Sequence, residues 1–229
     1  MIEAERQIDT SRAQRRRARW RTSAAALLVF AAGLATTYSV TDGLQAFSLE
    51  SARRLNALRS PARVPDLALE FANGQRARLT EVPGKILLVD FIYTSCATYC
   101  QSLGSVYAQL QMQLASEIAA DTVRLVSISF DPQHDGPEEL RAYRARHTRE
   151  TRGWLVGRPL GDDDLRSWLR AFGVVVIADG LGGYTHNAAI HVVGPDGKLA
   201  AIHDLDDFDG IVKTTREILR TPTHHAALR

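Results

Sequence analysis

The chain reads as an α/β protein, a central mixed sheet with flanking helices, preceded by a single N-terminal transmembrane helix. Three observations predict this. Two nine-residue apolar stretches, Lys85–Tyr93 and Thr122–Phe130, have the continuous hydrophobicity of strands buried on both faces, and helical spacing separates them. Asn73-Gly74 and Pro195-Asp196-Gly197 are turn signals that set hairpins at either end of that alternation. An uncharged run, Ala24–Val40, follows directly on a block of arginines.

The 229 residues, 45% hydrophobic and 24% charged, suit one folded domain with an appendage and exclude wholesale disorder. Two cysteines are too few for a disulfide scaffold. The net charge of +2 is unevenly placed: residues 1–22 carry +4 and the remainder −2. A near-neutral domain has no electrostatic motive for binding nucleic acid, and none is expected as a partner.

Six arginines crowd into Ser11–Arg21. As a helix, the seventeen residues of Ala24–Val40 span about 26 Å, and Thr22, Ser23 and Thr41 extend them towards the roughly 30 Å of a hydrocarbon core. The arginines should stay in the cytoplasm, which sends everything after residue 42 across the membrane. A cleaved signal peptide, with Ala24–Leu34 as its apolar stretch, competes with an uncleaved anchor, and either one exports the domain. The expected organisation is a cytoplasmic Arg-rich terminus (1–22), an anchor (23–41), a linker (42–62), a folded domain (63–222) and a tail (223–229).

Leu67–Phe71 and Gln75–Leu79 flank Asn73-Gly74 as a hairpin. Lys85–Tyr93 is a buried strand running into Cys96. A helix then covers roughly Tyr99–Ala119, with Leu103, Val106, Leu110 and Leu114 at helical spacing. After the strand Thr122–Phe130 come a polar helix at Pro137–His147 and a helix at Asp162–Phe172, the latter expected to be capped by its Asp run. Val174–Ala178, Ala188–Val193 and Lys198–His203 read as strands and Phe208–Leu219 as a closing helix. The right-handed crossover rule makes the two long strands parallel neighbours. Strand, helix, strand, then hairpin and helix is the order of a thioredoxin-like fold. Ligands of such sheets gather at the carboxyl ends of the strands, where Cys96 and Asp131 both fall.

Cys96 and Cys100 lie one helical turn apart, so both sulfurs can reach one metal ion or, with adjustment, each other. A helix N-terminus favours the thiolate. A structural disulfide closing so short a loop would remove little chain entropy. Two thiolates alone suit redox chemistry, and a third soft donor would make a metal site. His134, His147, His224 and His225 are expected to face solvent. His186 ends a Gly-rich loop over the sheet end and is the candidate third donor; His191 and His203 sit in strands.

Phe91–Cys100 (FIYTSCATYC) resembles the strand-to-helix motif of the Sco/SenC family of copper chaperones. The similarity continues through Ser127–Pro132, Trp154–Gly157, Ala171–Val174, His186–Ile190 and Pro195–Lys198, in the family's order. Ala97 and Gln101 stand where the family usually has proline, Thr185 where it often has Asp, and His191 where an aromatic ring is commoner. The resemblance implies a membrane-tethered domain that binds copper, Cu(I) and with added oxygen donors Cu(II), through Cys96, Cys100 and His186. It also implies a part in building the dinuclear copper site of cytochrome c oxidase subunit II, or another copper-receiving protein. Asp131 matches an acidic position of the family and is expected either to support the metal ligands or simply to form the turn before Pro132.

The alternative is an extracytoplasmic thiol–disulfide oxidoreductase that uses Cys96 and Cys100 as its redox pair without delivering copper. The spacing of Asp204–Gly210 does not fit a calcium loop, and Gly180–Gly183 is not a phosphate loop, since no Lys-Ser/Thr follows.

Overall fold

The computed structural model describes residues 2–45, 48–81, 85–96, 99–180 and 182–221. It divides into two units, residues 1–55 and 56–229.

In the first unit, helix α1 (Ile2–Val40) runs through the Arg cluster into the apolar run. Its segment Arg19–Val40, 22 residues and none of them buried, is long and apolar enough to cross a membrane. Helix α2 (Leu49–Arg59) follows within the expected linker.

The second unit is built on a seven-stranded mixed sheet. Its strands are β1 (Ala68–Phe71), β2 (Arg76–Arg78), β3 (Ile86–Ile92), β4 (Val123–Ser129), β5 (Trp154–Pro159), β8 (Ile190–Val193) and β9 (Leu199–His203), in the order β2-β1-β5-β4-β3-β8-β9. A separate two-stranded ribbon pairs β6 (Val176–Ala178) with β7 (Tyr184–His186). The helices are α3 (Tyr99–Gln113), α4 (Ala115–Ala119), α5 (Pro137–His147), α6 (Asp162–Phe172) and α7 (Phe208–Arg220).

Every residue of β3 is buried, which is why its sequence is apolar almost without interruption. It pairs in parallel with β4, from Ile86 opposite Val123 to Ile92 opposite Ser129. The two strands therefore end level, and the loops leaving them meet at one edge. Both hairpins form as their turn residues dictate, with Gly74 and Gly197 at positive φ.

Three expectations need correction. Trp154–Pro159, not foreseen as a strand, is β5, and it pairs in parallel with β4. Its Gly-Arg-Pro ending hides the strand pattern, yet its interior is buried because β1 and β4 flank it. The helix expected over Tyr99–Ala119 is two helices, broken where Leu114 leaves helical geometry. The Asp run does not cap α6. Gly161 is the capping residue, and Asp162–Asp164 occupy the first turn, where their charges favour the helix N-terminus.

Candidate metal centre

β3 delivers the chain into a turn at Tyr93–Cys96, closed by the Cys96 N–H donating to the Tyr93 carbonyl at 3.3 Å. Thr94 inside this turn is held at three atoms. Its N–H donates to Asp135 Oδ2 at 2.9 Å and its hydroxyl to Asp135 Oδ1 at 2.6 Å. Its carbonyl accepts from Arg146 Nη2 at 2.9 Å. Cys96 is buried, 7% exposed. Cys100 stands in the first turn of α3, and its side chain lies outside the described residues.

The loop leaving β4 supplies the acids. Asp135, fully buried, takes a third donor, Ser129 Oγ, at 2.6 Å. Burial raises its pKa, and the Ser129 and Thr94 donors oppose that rise. Asp131 forms the turn: its carbonyl accepts from the N–H groups of His134 (3.2 Å) and Asp135 (2.9 Å). Its carboxylate lies 2.8 Å from His134 Nδ1, which raises the His134 pKa. His134 faces solvent as expected. The carboxylate of Asp131 is thus engaged with an exposed histidine.

His186 ends β7, opposite Val176 in the ribbon. Its ring packs on Phe130 with centroids 5.0 Å apart. Phe130 also meets Tyr93 (5.3 Å) and Tyr184 (5.5 Å), and Tyr93 meets Tyr184 edge-on (5.2 Å). The Tyr184 N–H donates to Tyr93 Oη at 3.4 Å. Tyr93 lies three residues before Cys96 and Tyr184 two before His186, so one aromatic cluster joins the cysteine loop to the histidine ribbon. Both ring nitrogens of His186 are buried without a hydrogen-bond partner, and burial lowers its pKa. The lowered pKa favours the neutral imidazole, which has a lone pair to give.

Other histidines are accounted for differently. The His191 Nδ1 lies 3.1 Å from the Val89 carbonyl, and its ring stands edge-on to Phe91 and Phe172. His147 does not face solvent. It is half-buried against Gly104, Tyr143 and Trp154, filling space that a Cβ on Gly104 would occupy. His224 and His225 lie outside the described residues.

Two acids escaped the sequence reading. Asp135 could have been found from its spacing, four residues after Asp131 at the end of a strand level with the cysteine loop. Asp90 has a plainer signal, a lone charge inside β3. It is fully buried, and neither carboxylate oxygen has a hydrogen-bond partner. The Tyr107 hydroxyl donates to the Leu88 carbonyl and Ser127 Oγ accepts from Trp154 Nε1; these two hydroxyls lie close enough to Asp90 to oppose the rise in its pKa. Burial pushes the Asp90 pKa up to about 7.

Among the described residues, no three His, Cys, Asp or Glu side chains converge as a metal site. Of the predicted set, Cys96 and His186 are both described, and Tyr93 and Tyr184 couple their segments. A family model described as SCO1/SenC matches residues 59–220. The chain belongs to the SCO1/SenC family.

The SCO1 protein homolog of Bacillus subtilis (strain 168) is 28% identical over 144 residues, which cover 62% of this chain and 71% of that one. Among solved structures, BsSco superposes with a TM-score of 0.62 at 24% identity, covering 69% of this chain and 94% of that one. BsSco is a member of the Sco family of cytochrome c oxidase assembly proteins and contains a disulfide switch. Arabidopsis thaliana ScoI with copper bound superposes with a TM-score of 0.58 at 20% identity, covering 68% and 99%. At these identities the two solved structures establish the shared fold, a thioredoxin-like sheet flanked by helices.

Proposed function

We propose that this SCO1/SenC protein is a membrane-anchored copper chaperone whose cargo is held by Cys96, Cys100 and His186. It delivers copper to, or reduces the cysteines of, the dinuclear copper site of cytochrome c oxidase subunit II. The observation that carries the reading is His186: a half-buried ring whose two nitrogens are both buried and unused, packed in the cluster that includes Tyr93 of the cysteine loop. An unsatisfied buried polar group is costly unless something pairs with it. Two thiolates and an imidazole are soft and borderline donors that suit Cu(I); added oxygen donors would admit Cu(II). Family membership and the copper held by Arabidopsis thaliana ScoI support the same cargo.

The arginines of residues 1–22 stay in the cytoplasm, 23–41 cross the membrane and 42–62 link to a domain, 63–222, outside it, followed by the tail 223–229. Copper leaves by ligand exchange, as thiol and imidazole donors of the receiving protein replace Cys96, Cys100 and His186 one at a time. Reduction of the receiver's disulfide is the companion reaction. One thiolate of the pair attacks a receiver sulfur, forming a mixed disulfide and releasing one receiver thiolate. The second thiol of the pair then closes the Cys96–Cys100 disulfide and frees the other receiver sulfur, so two electrons pass to the receiver. In that oxidised state the pair cannot hold copper.

Anaerobic Cu(I) titration of the reduced full chain in detergent tests this. About one tightly held copper per chain is expected. That binding should be lost in Cys96→Ser and in Cys100→Ser and weakened in His186→Ala. Undiminished copper retention in the double cysteine variant overturns the reading. Catalytic turnover of a general disulfide substrate without copper binding supports instead an extracytoplasmic thiol–disulfide oxidoreductase.

A further inference from the structure

Thr94 has three backbone and side-chain groups able to hydrogen-bond, and all three are taken by residues distant in sequence. Asp135 accepts two of its protons, and Arg146 on α5 donates to its carbonyl. Asp135 is itself fixed from both sides. Ser129 donates to its Oδ2 from the end of β4, and its own N–H donates to the Asp131 carbonyl. The turn beyond is held from β5, where Arg158 Nη1 donates to the Pro132 carbonyl at 2.6 Å while its remaining nitrogens engage Glu70. The loop carrying Cys96 is therefore tied, through one buried carboxylate, to the parallel strand beside it.

We propose that Asp135 is a positioning residue for the copper site: its carboxylate grips Thr94 at two atoms and so holds Cys96 in its metal-ready place before copper arrives. The proposal rests on the copper reading above for its purpose but not for its geometry. Ala97 stands directly after Cys96 and Gln101 directly after Cys100, so the loop has no proline to stiffen it. Rigidity must come from outside the loop, and three donors on one buried carboxylate supply it. Arg146 adds the third hold from the exposed side. A side chain that locks its neighbour's backbone as well as its hydroxyl resists both translation and rotation of the turn, which a single bond would not.

Two variants separate positioning from general stability. Thr94→Val keeps the shape and removes the hydroxyl donor, whereas Thr94→Ser keeps the donor. Asp135→Asn keeps the shape and replaces an acceptor by a donor facing donors. In the full chain carrying Cys100→Ser, Cys96 is the sole thiol, and its alkylation by iodoacetamide without metal reports loop release. Asp135→Asn and Thr94→Val should each speed that alkylation by about tenfold, Thr94→Ser should match the parent, and the double variant should be no faster than either single one. Leu199→Ala, which loosens the far edge of the sheet, should leave the rate unchanged. With both cysteines present, the same two variants should weaken Cu(I) by about tenfold and shift the thiolate–Cu(II) charge-transfer band.

Cys96 alkylation at the parent rate in Thr94→Val overturns the proposal, even if Asp135→Asn fails to fold. Acceleration in Leu199→Ala equal to that in Thr94→Val also overturns it, since the effect would then be global. Accelerated alkylation rescued by Thr94→Ser, in a protein that holds no copper at all, upholds the clamp and sinks the copper reading instead.

Discussion

The cysteine loop and the histidine ribbon reach the same aromatic cluster but are held by opposite means. The loop leaves β3, an interior strand of the main sheet, and is tied down by charge-assisted hydrogen bonds of 2.6 to 2.9 Å to Asp135 and Arg146. The ribbon belongs to no larger sheet. Its strands are three residues each, Ile177 within it and Val175 just before it are exposed, and a lone two-stranded hairpin is marginal in water. Ring packing and a 3.4 Å hydrogen bond from Tyr184 N–H to Tyr93 Oη join it to the loop. Asn187 fastens its base, accepting from the Val175 N–H at 2.7 Å and donating to the Gly173 carbonyl at 3.0 Å. Under the proposed copper delivery, Cys96 must stay ordered while the cargo is surrendered. That contrast puts the rigidity under Cys96 and the freedom under the imidazole.

Removing what the two regions share should have the largest effect. Phe130 is 4% exposed and touches Tyr93, Tyr184 and His186. Phe130→Ala should destabilise the domain by about 3–5 kcal/mol in urea unfolding. It should also release the ribbon, seen as faster amide exchange at Tyr184–His186. A loss confined to global stability, with the ribbon's exchange unchanged, would show that the cluster does not couple the two regions.

Acidity gives the next effect, because Asp90, buried in the strand that feeds the loop, and the histidines His186 and His147 titrate with opposite signs. Asp90 has a folded pKa near 7, above its unfolded value, so its contribution is fully present below about pH 4 and is lost as pH rises through 7. His186 and His147 have folded pKa values lowered by burial, so the unfolded chain takes up protons they refuse, and stability is lost as pH falls below about 6.5. Asp90→Asn should therefore gain on the parent as pH rises from 5 to 8, by an amount on the order of 2–4 kcal/mol. His186→Ala should flatten part of the acid limb and leave the part due to His147. Parallel pH profiles of Asp90→Asn and the parent would show that Asp90 carries no raised pKa.

How much of this was legible in the chain follows from where the restraint comes from. The two long strands and both hairpins could be read because continuous burial and positive-φ glycines leave local marks. Pro137–His147 and Asp162–Phe172 could be read to the residue, since Gly136-Pro137 opens the first and Gly161 and Gly173 bracket the second. β5 could not, because its burial is imposed by neighbours more than 25 residues away in sequence. The cysteines and His186 stood out by type and spacing. Asp135 could be placed near the cysteine loop by its spacing after Asp131, but its grip on Thr94 could not, since the two lie 41 residues apart and no local pattern pairs them. His147 misled for the same reason: a polar helix says nothing of the glycine, on another helix, against which its last residue packs.

A smaller effect is expected at the base of the ribbon. Asn187→Ala leaves the Val175 N–H and the Gly173 carbonyl without their partner, both at partly exposed positions where water can replace it. The cost should be about 1–2 kcal/mol, with His186 exchange raised and Cys96 alkylation unchanged. An equal rise at both sites would mean that the loop and the ribbon open together.

The smallest effect belongs to the hydrogen bond from the Tyr184 N–H to Tyr93 Oη, which joins the two regions. Tyr93→Phe keeps the ring that meets Phe130 and Tyr184 and deletes the oxygen that accepts from Tyr184 N–H. At 3.4 Å that bond is long, so its loss should cost less than about 1 kcal/mol of stability. If packing alone carries the coupling, exchange at the Tyr184 amide should rise a few-fold while copper affinity stays within about twofold of the parent. A drop in affinity approaching that of His186→Ala would mean instead that the hydroxyl sets the ribbon's position, and that the imidazole is held as firmly as the sulfurs.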